Sequence, residues 1–174
     1  MAKFYLKDLK SAMGSEPLFC DEQEVLLYQT RLTEFIAPMD CCAGTVHLPD
    51  KYKLFSADRT ALSEVARVKM KLMPEFEAFD LQGNVLVCTV KKKFSLFKVP
   101  LEITSKTGTW VVDGNVFKRN FRVLGEHGVE VFSMKPDKMP WGEAFVIEFD
   151  GDEFEEYIVA TMILAIESAY QTGS

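Results

Sequence analysis

Short runs of alternating apolar and polar residues recur along most of the chain, which is the pattern of half-buried β-strands. Turn-forming residues separate these runs, as in LQGN at 81–84, SKTG at 105–108 and GEHG at 125–128. Gly and Asn tolerate positive φ and therefore favour tight turns between paired strands. We count about eleven or twelve predicted strands, a number typical of an all-β sandwich or barrel.

The pattern changes near the C-terminus, where residues 157–166 read YIVATMILAI without a charge. Neither Pro nor Gly interrupts the span 153–170, so we predict a helix there, with Asp152 as its N-cap and Glu155 completing a capping box. The helix is apolar on every side, which indicates burial, and it is shorter than the roughly 20 apolar residues of a membrane span. A closed barrel would surround it, so residues 1–174 are predicted to form one mainly β domain.

Composition excludes several classes of protein. The chain has 174 residues, of which 48% are apolar and 26% charged, as in a globular domain with a sizeable core. A net charge of −6 argues against a general nucleic-acid binder, which must neutralise phosphates. The first residues, MAKFYLKDLK, alternate in polarity unlike a signal peptide. We therefore expect a cytoplasmic protein without a transmembrane segment, peripheral to the membrane at most.

Residues that carry metal or catalytic chemistry are sparse. The four cysteines form no CxxC and have no histidine at zinc-site spacing, so reduced thiols are expected, although the role of the pair Cys41 and Cys42 stays open. The motifs GxGxxG, GxxxxGK[ST], GxSxG and HExxH are absent. Neither His47 nor His127 has a nucleophile or carboxylate at a recognisable spacing. We predict a non-enzymatic protein with no metal and no cofactor.

Acidic residues are concentrated just before the predicted helix: residues 143–156 contain seven acidic residues and no basic one. The part 150–156 has carboxylates and a glycine, which suggests calcium, but it lacks the ligand spacing of a calcium loop. The simpler interpretation is a turn into a helix whose first residues complement the helix dipole. Both interpretations stay open at this stage.

A basic and aromatic segment, KKKFSLFK at 91–98, is the main candidate for function. Lysines near an anionic membrane contribute about 1 kcal/mol each, and adjacent aromatic rings enter the interface. The candidate headgroup-binding residues are Lys91, Lys92, Lys93, Lys98, Lys118 and Arg119, the last two joining if the hairpins pack side by side, and the candidate interface residues are Phe94 and Phe97. The alternative is that the lysines protect strand ends and edges while both phenylalanines belong to the core.

Several segments together resemble the LURP-one-related family, within the tubby C-terminal-like superfamily that also includes the phospholipid scramblases. They are VKKKFSLF at 90–97, WVVDG at 110–114, GEHG at 125–128, PWG at 140–142, FVIEF at 145–149 and the terminal apolar helix. The resemblance runs from about residue 52 to 167, and more weakly back to residue 3. It implies a closed barrel of about twelve antiparallel strands around a central buried C-terminal helix.

The resemblance also bears on function. Tubby-like domains are associated with phosphoinositide binding, whereas scramblase activity is not carried over because the chain lacks a proline-rich N-terminal region and a long membrane segment. We therefore expect a tubby-like domain that binds anionic phospholipid headgroups at a membrane surface. The alternative is a protein-interaction scaffold without a lipid ligand. A lipid held inside the barrel is a weaker hypothesis, because the helix would fill that space.

Overall fold

The described residues form twelve strands and one α-helix. The computed structural model of the chain describes residues 1–7, 16–34, 51–68, 71–93 and 100–171. The strands are β1 (Ala2–Lys7), β2 (Leu18–Cys20), β3 (Leu26–Glu34), β4 (Lys51–Ser56), β5 (Ala61–Arg67), β6 (Glu75–Asp80), β7 (Val85–Lys92), β8 (Leu101–Ser105), β9 (Gly108–Asn115), β10 (Asn120–Leu124), β11 (Glu130–Met139) and β12 (Gly142–Phe149). A short 3₁₀ turn covers Glu126–Gly128, and the helix α1 covers Glu156–Gln171.

The strands form a closed antiparallel barrel in which each strand pairs with its neighbours in sequence. The first strand closes the ring by pairing with the last, with Phe4 opposite Ile147, and it also pairs with β2, with Leu6 opposite Phe19. The barrel and its C-terminal helix confirm the predicted fold class. Closure removes sheet edges, so the lysines are not needed to protect an edge and only their position at strand ends remains to be explained.

The alternating pattern places one set of side chains inside the barrel. On β6, Phe76 and Ala78 are buried, and on β8, Leu101 and Ile103 are buried, while the residues between them are more exposed. The helix supplies the centre of this core, because every residue from 159 to 169 is buried. A lipid inside the barrel would have to displace this helix.

Three polar contacts hold the first two turns of the helix in place inside the barrel. The Ser63 and Thr161 hydroxyls lie 2.5 Å apart in the core. The Tyr28 hydroxyl donates to Glu156 Oε1 at 2.9 Å, and the Tyr157 hydroxyl donates to Asp80 Oδ1 at 3.1 Å. Because buried polar groups need partners, these pairs favour one position of the helix along the barrel.

The two ends of the barrel differ in what the helix does there. The chain leaves β12, turns through residues 150–155 and begins α1 at what we call the near end. The helix finishes at the opposite end, which we call the far end. There the chain passes from β5 to β6, from β7 to β8 and from β9 to β10.

The prediction of Asp152 as N-cap is wrong. The helix begins at Glu156, and the amides of Ile158 and Val159 donate to the Glu155 carbonyl. The Asp152 amide instead donates to Asp150 Oδ1 at 3.0 Å, in a turn closed by the Asp150 side chain. An Asp side chain that bonds the amide two residues on stabilises a turn in preference to a helix start, which delays α1.

Strand β10 begins at Asn120 and is preceded by a turn. Residues 116–119 form the turn between β9 and β10, because the Lys118 amide donates to Asn115 Oδ1 at 3.0 Å and the Arg119 amide donates to the Val116 carbonyl at 3.0 Å. Arg119 has a φ of 52°. This turn buries Val116 and leaves Phe117 exposed.

Candidate functional site

The far end of the barrel gathers most of the predicted cations. Lys91 and Lys92 complete β7, and Lys93 follows them, while Lys118 and Arg119 lie in the turn of the next hairpin. Since β7, β8, β9 and β10 are consecutive in the barrel, these two hairpins are neighbours, which is the arrangement that a shared patch requires. The cations nevertheless differ in what they contact.

The Arg119 side chain forms an ion pair with the buried helix. Its Nε donates to Glu167 Oε1 at 2.7 Å and its Nη2 donates to Oε2 at 3.4 Å. The carboxylate belongs to the buried face of α1, and the guanidinium also lies 5.2 Å from the centre of the Phe145 ring. An ion pair that neutralises a buried charge is costly to break. Arg119 therefore latches the helix to the barrel and is poorly placed to serve a ligand.

Lys92 also has a structural contact. Its side chain lies on the inward side of β7, where Nζ donates to the Tyr170 carbonyl at 3.3 Å. A cation at the last turn of a helix satisfies a free carbonyl and complements the negative end of the helix dipole. Partial burial lowers the pKa of this lysine.

The lysines on the outer side of the barrel are held loosely. Lys91 Nζ lies 3.9 Å from Glu75 Oε1, and Lys71 Nζ lies 3.6 Å from Glu75 Oε2. Lys93 pairs with Glu102. The lysine side chains in these pairs are 47–52% exposed, whereas the glutamate side chains are 13–25% exposed. Ion pairs open to water on the lysine side contribute little, about 0–1 kcal/mol, so the lysines can reorient at little cost. We call Lys71, Lys91, Lys93 and Lys118 the far-end lysines.

A groove of about 430 Å³ opens at the far end between the segment that precedes β6 and the end of β7. Its walls are residues 71–75, which lead into β6, and residues 91–93, which leave β7. The Lys92 amide donates to the Pro74 carbonyl at 3.0 Å and joins the two walls. Four of the eight lining residues are lysines and one is a glutamate, so the groove is basic.

Two exposed apolar side chains stand at the same end. Leu72 is 100% exposed on the lip of the groove, and Phe117 is 79% exposed in the turn between β9 and β10. Each is adjacent in sequence to a far-end lysine. Neither was predicted from the sequence, although Pro74, two residues after Leu72, and Asn115, two residues before Phe117, are turn signals that point to loops.

Comparison with known proteins identifies the family. The family model described as LURP-one-related matches residues 39–166 of the 174. The chain belongs to the LURP-one-related family. Its fold is similar to the X-ray structure of a protein from Arabidopsis thaliana, with a TM-score of 0.59 and 16% sequence identity, covering 97% of this chain and 90% of that one. No curated protein matches the chain.

Part of the predicted site in this LURP-one-related domain lies outside the described residues. Lys98, Phe94 and Phe97 belong to the segment 94–99 that joins Lys93 to Pro100, and Cys41 and Cys42 belong to the segment 35–50. Their assignments therefore remain predictions. His47 also lies outside the described residues, whereas His127 is exposed in the 3₁₀ turn.

The near end of this LURP-one-related domain presents the acidic residues. Burial raises the pKa of Glu156, and the hydrogen bond from Tyr28 lowers it in part.

Across the described parts of the chain, no three His, Cys, Asp or Glu side chains are grouped so that they could hold a metal ion. Residues 150–156 make the turn into α1 together with its first residue, as the simpler interpretation has it. No helix within the described ranges is long and apolar enough to cross a membrane.

Proposed function

We propose that this LURP-one-related domain is a non-enzymatic binding module that docks its far end onto an anionic phospholipid surface. One observation carries the proposal: two separate segments at this end each present an exposed apolar side chain beside a lysine, Leu72 with Lys71 and Phe117 with Lys118. That combination suits the boundary between charged headgroups and acyl chains, where the apolar side chain is buried and the ammonium group stays at the headgroups.

The spacing of the two segments favours contact with an extended surface. Leu72 precedes β6 and Phe117 follows β9, and these strands are three positions apart in the barrel. At roughly 4.8 Å between neighbouring strands, the two apolar side chains are separated by on the order of 15 Å. The basic end of β7 lies between them. A flat anionic surface can therefore contact all three points at once.

The two kinds of contact are expected to reinforce each other. Burying a Leu or Phe side chain contributes roughly 1.5–3 kcal/mol, and each lysine near an anionic surface contributes about 1 kcal/mol. The pairing of far-end lysines with Glu75 and Glu102 reduces the electrostatic part. Apolar insertion and charge are thus both needed, as for other proteins that bind membranes through two weak signals.

Co-sedimentation with vesicles tests the proposal. The wild-type protein is expected to bind vesicles that contain an anionic phospholipid, to ignore neutral vesicles, and to lose binding as salt screens the lysines. The double variant Leu72→Ser with Phe117→Ser is expected to lose about a hundredfold in affinity, because about 3 kcal/mol of apolar transfer is removed.

A matched control uses the near end, which presents an exposed valine and an exposed lysine. The variants Val129→Ser and Lys106→Ser are expected to bind vesicles as the wild type does. Absence of binding to any anionic vesicle, or equal losses in the far-end and near-end variants, would refute docking through the far end. The protein-interaction scaffold would then be the better hypothesis.

A further inference from the structure

The groove between residues 71–75 and 91–93 is large enough to hold a small ligand. Its volume of about 430 Å³ falls in the ordinary range for pockets that hold small molecules. Its walls are fixed by backbone hydrogen bonds, since the Lys92 amide donates to Pro74 and the Val68 amide donates to the Glu75 carbonyl at 2.8 Å. The concavity is therefore built into the paired strands β6 and β7.

The chemistry of the lining is that of an anion site with more than one donor. Each lysine ammonium offers three donors and no acceptor. Of the four lysines in the lining, Lys92 donates to the Tyr170 carbonyl and Lys93 pairs with Glu102, so Lys71 and Lys91 are the principal donors for a ligand. Glu75 lies between Lys71 and Lys91 at 3.6 and 3.9 Å, distances too long for hydrogen bonds. Both ammonium groups can therefore turn towards a more highly charged anion without losing a strong contact.

A phosphate monoester satisfies this lining better than a carboxylate does. It carries a charge of about −1.5 to −2 at neutral pH and three strong acceptor oxygens, which several ammonium groups can share. The remaining lining residues, Leu72, Met73 and Pro74, are apolar and stand beside the lysines. They would contact the organic part of the ester while the lysines hold its phosphate.

We infer that this groove binds a phosphate monoester, presented either by a lipid headgroup or by a small soluble molecule. The inference deepens the proposed function, and its lipid form rests on that function. The lysines outside the groove, above all Lys118, then contribute only general attraction to an anionic surface. The groove adds a preference for phosphate monoesters over phosphate diesters.

The direct test is a titration of the ¹⁵N-labelled protein with glycerol 3-phosphate, followed by NMR, with glycerol as the uncharged control. Amide shifts are expected in residues 71–75 and 91–93. Lys91→Ser is expected to weaken binding about tenfold, because it removes one charged hydrogen-bonding partner. Glu75→Gln is expected to tighten binding, because it removes a like charge and frees Lys71 and Lys91. Lys106→Ser, at the near end, is expected to bind glycerol 3-phosphate as the wild type does.

The second arm compares vesicles of equal surface charge that contain phosphatidate, a monoester, or phosphatidylserine, a diester. A preference for phosphatidate that Lys91→Ser removes and Lys118→Ser keeps supports a lipid ligand. Binding of glycerol 3-phosphate without vesicle binding supports a soluble ligand and contradicts the membrane proposal. Equal binding of both vesicles, with no glycerol 3-phosphate shifts in the groove, overturns the groove and leaves membrane docking standing.

Discussion

The latch between Arg119 and Glu167 gives the sharpest prediction about stability. The variant Arg119→Met keeps most of the apolar stem of the side chain but removes the charge that neutralises a carboxylate only 7% exposed. Removing one partner of a buried ion pair costs about 3–5 kcal/mol. The Arg119 side chain keeps 25% exposure, which admits some water, so we expect the lower part of that range, about 3 kcal/mol.

A second arginine supplies the matched control. Arg122 Nε donates to Asp113 Oδ2 at 2.9 Å, a geometry close to that of the latch, but both side chains are 54% exposed. Exposed pairs contribute about 0–1 kcal/mol, so Arg122→Met is expected to change the free energy of unfolding little. The comparison separates burial from geometry, because the two Nε–oxygen distances differ by only 0.2 Å.

Urea unfolding followed by fluorescence measures both variants, together with Glu167→Gln and the double variant Arg119→Met with Glu167→Gln. The double variant is expected to be more stable than Arg119→Met alone, since the uncompensated carboxylate is gone. For a domain of this size, a loss of about 3 kcal/mol also lowers Tm by roughly 6–12 °C. A loss below 1 kcal/mol in Arg119→Met, or equal losses in Arg119→Met and Arg122→Met, would refute the latch.

Three further predictions concern the core and the near end. Ile163→Asp places an unpaired charge in a fully buried position and is expected to abolish the cooperative unfolding transition seen by circular dichroism. Burial raises the pKa of Glu156, so the pKa in the folded state lies above the pKa in the unfolded state. The stability that protonation of Glu156 adds is therefore lost as pH rises through the folded-state pKa. Tyr28→Phe removes the hydrogen bond that lowers this pKa in part, so a ¹³C carboxyl titration is expected to find the pKa raised further. Burial also raises the pKa of the Cys88 thiol to about 12, so mass-spectrometric mapping of thiol labelling is expected to find Cys88 protected until the domain unfolds.

The barrel and its buried helix follow from patterns that are local in sequence. Alternation along β6 and β8 identifies the inward residues, and the uncharged run at 157–166 identifies a helix buried on all sides. Boundaries were less accurate where a side chain bonds the backbone. Asp150 closes a turn that shifts the start of α1 away from the predicted residues, and Asn115 closes the turn before β10.

The sequence alone could not predict which cations contact the helix and which stay at the surface. Arg119 and Glu167 are 48 residues apart, and Lys92 and Tyr170 are 78 residues apart, so both contacts depend on where the barrel places the end of the helix. Charge patterning alone treats Lys91, Lys92 and Lys93 as equivalent. Alternation along β7 shows why they are not, because the middle lysine points inward and its neighbours point outward.

Because Lys92 contacts the helix while Lys91 and Lys93 lie at the surface, the far end must be tested with separate substitutions. Replacing all of Lys91, Lys92 and Lys93 would remove the cation that caps α1 together with two surface lysines, so a loss of vesicle binding would not distinguish a damaged helix end from a missing charge. Replacing Lys91 and Lys93 alone removes the outward charges and leaves the Lys92 contact with Tyr170 in place. Lys92→Met provides the complement, since it removes the cap and leaves the outward lysines. Vesicle binding that follows Lys91 and Lys93, with stability that follows Lys92, is the pattern expected of a membrane-docking surface built around a structural core.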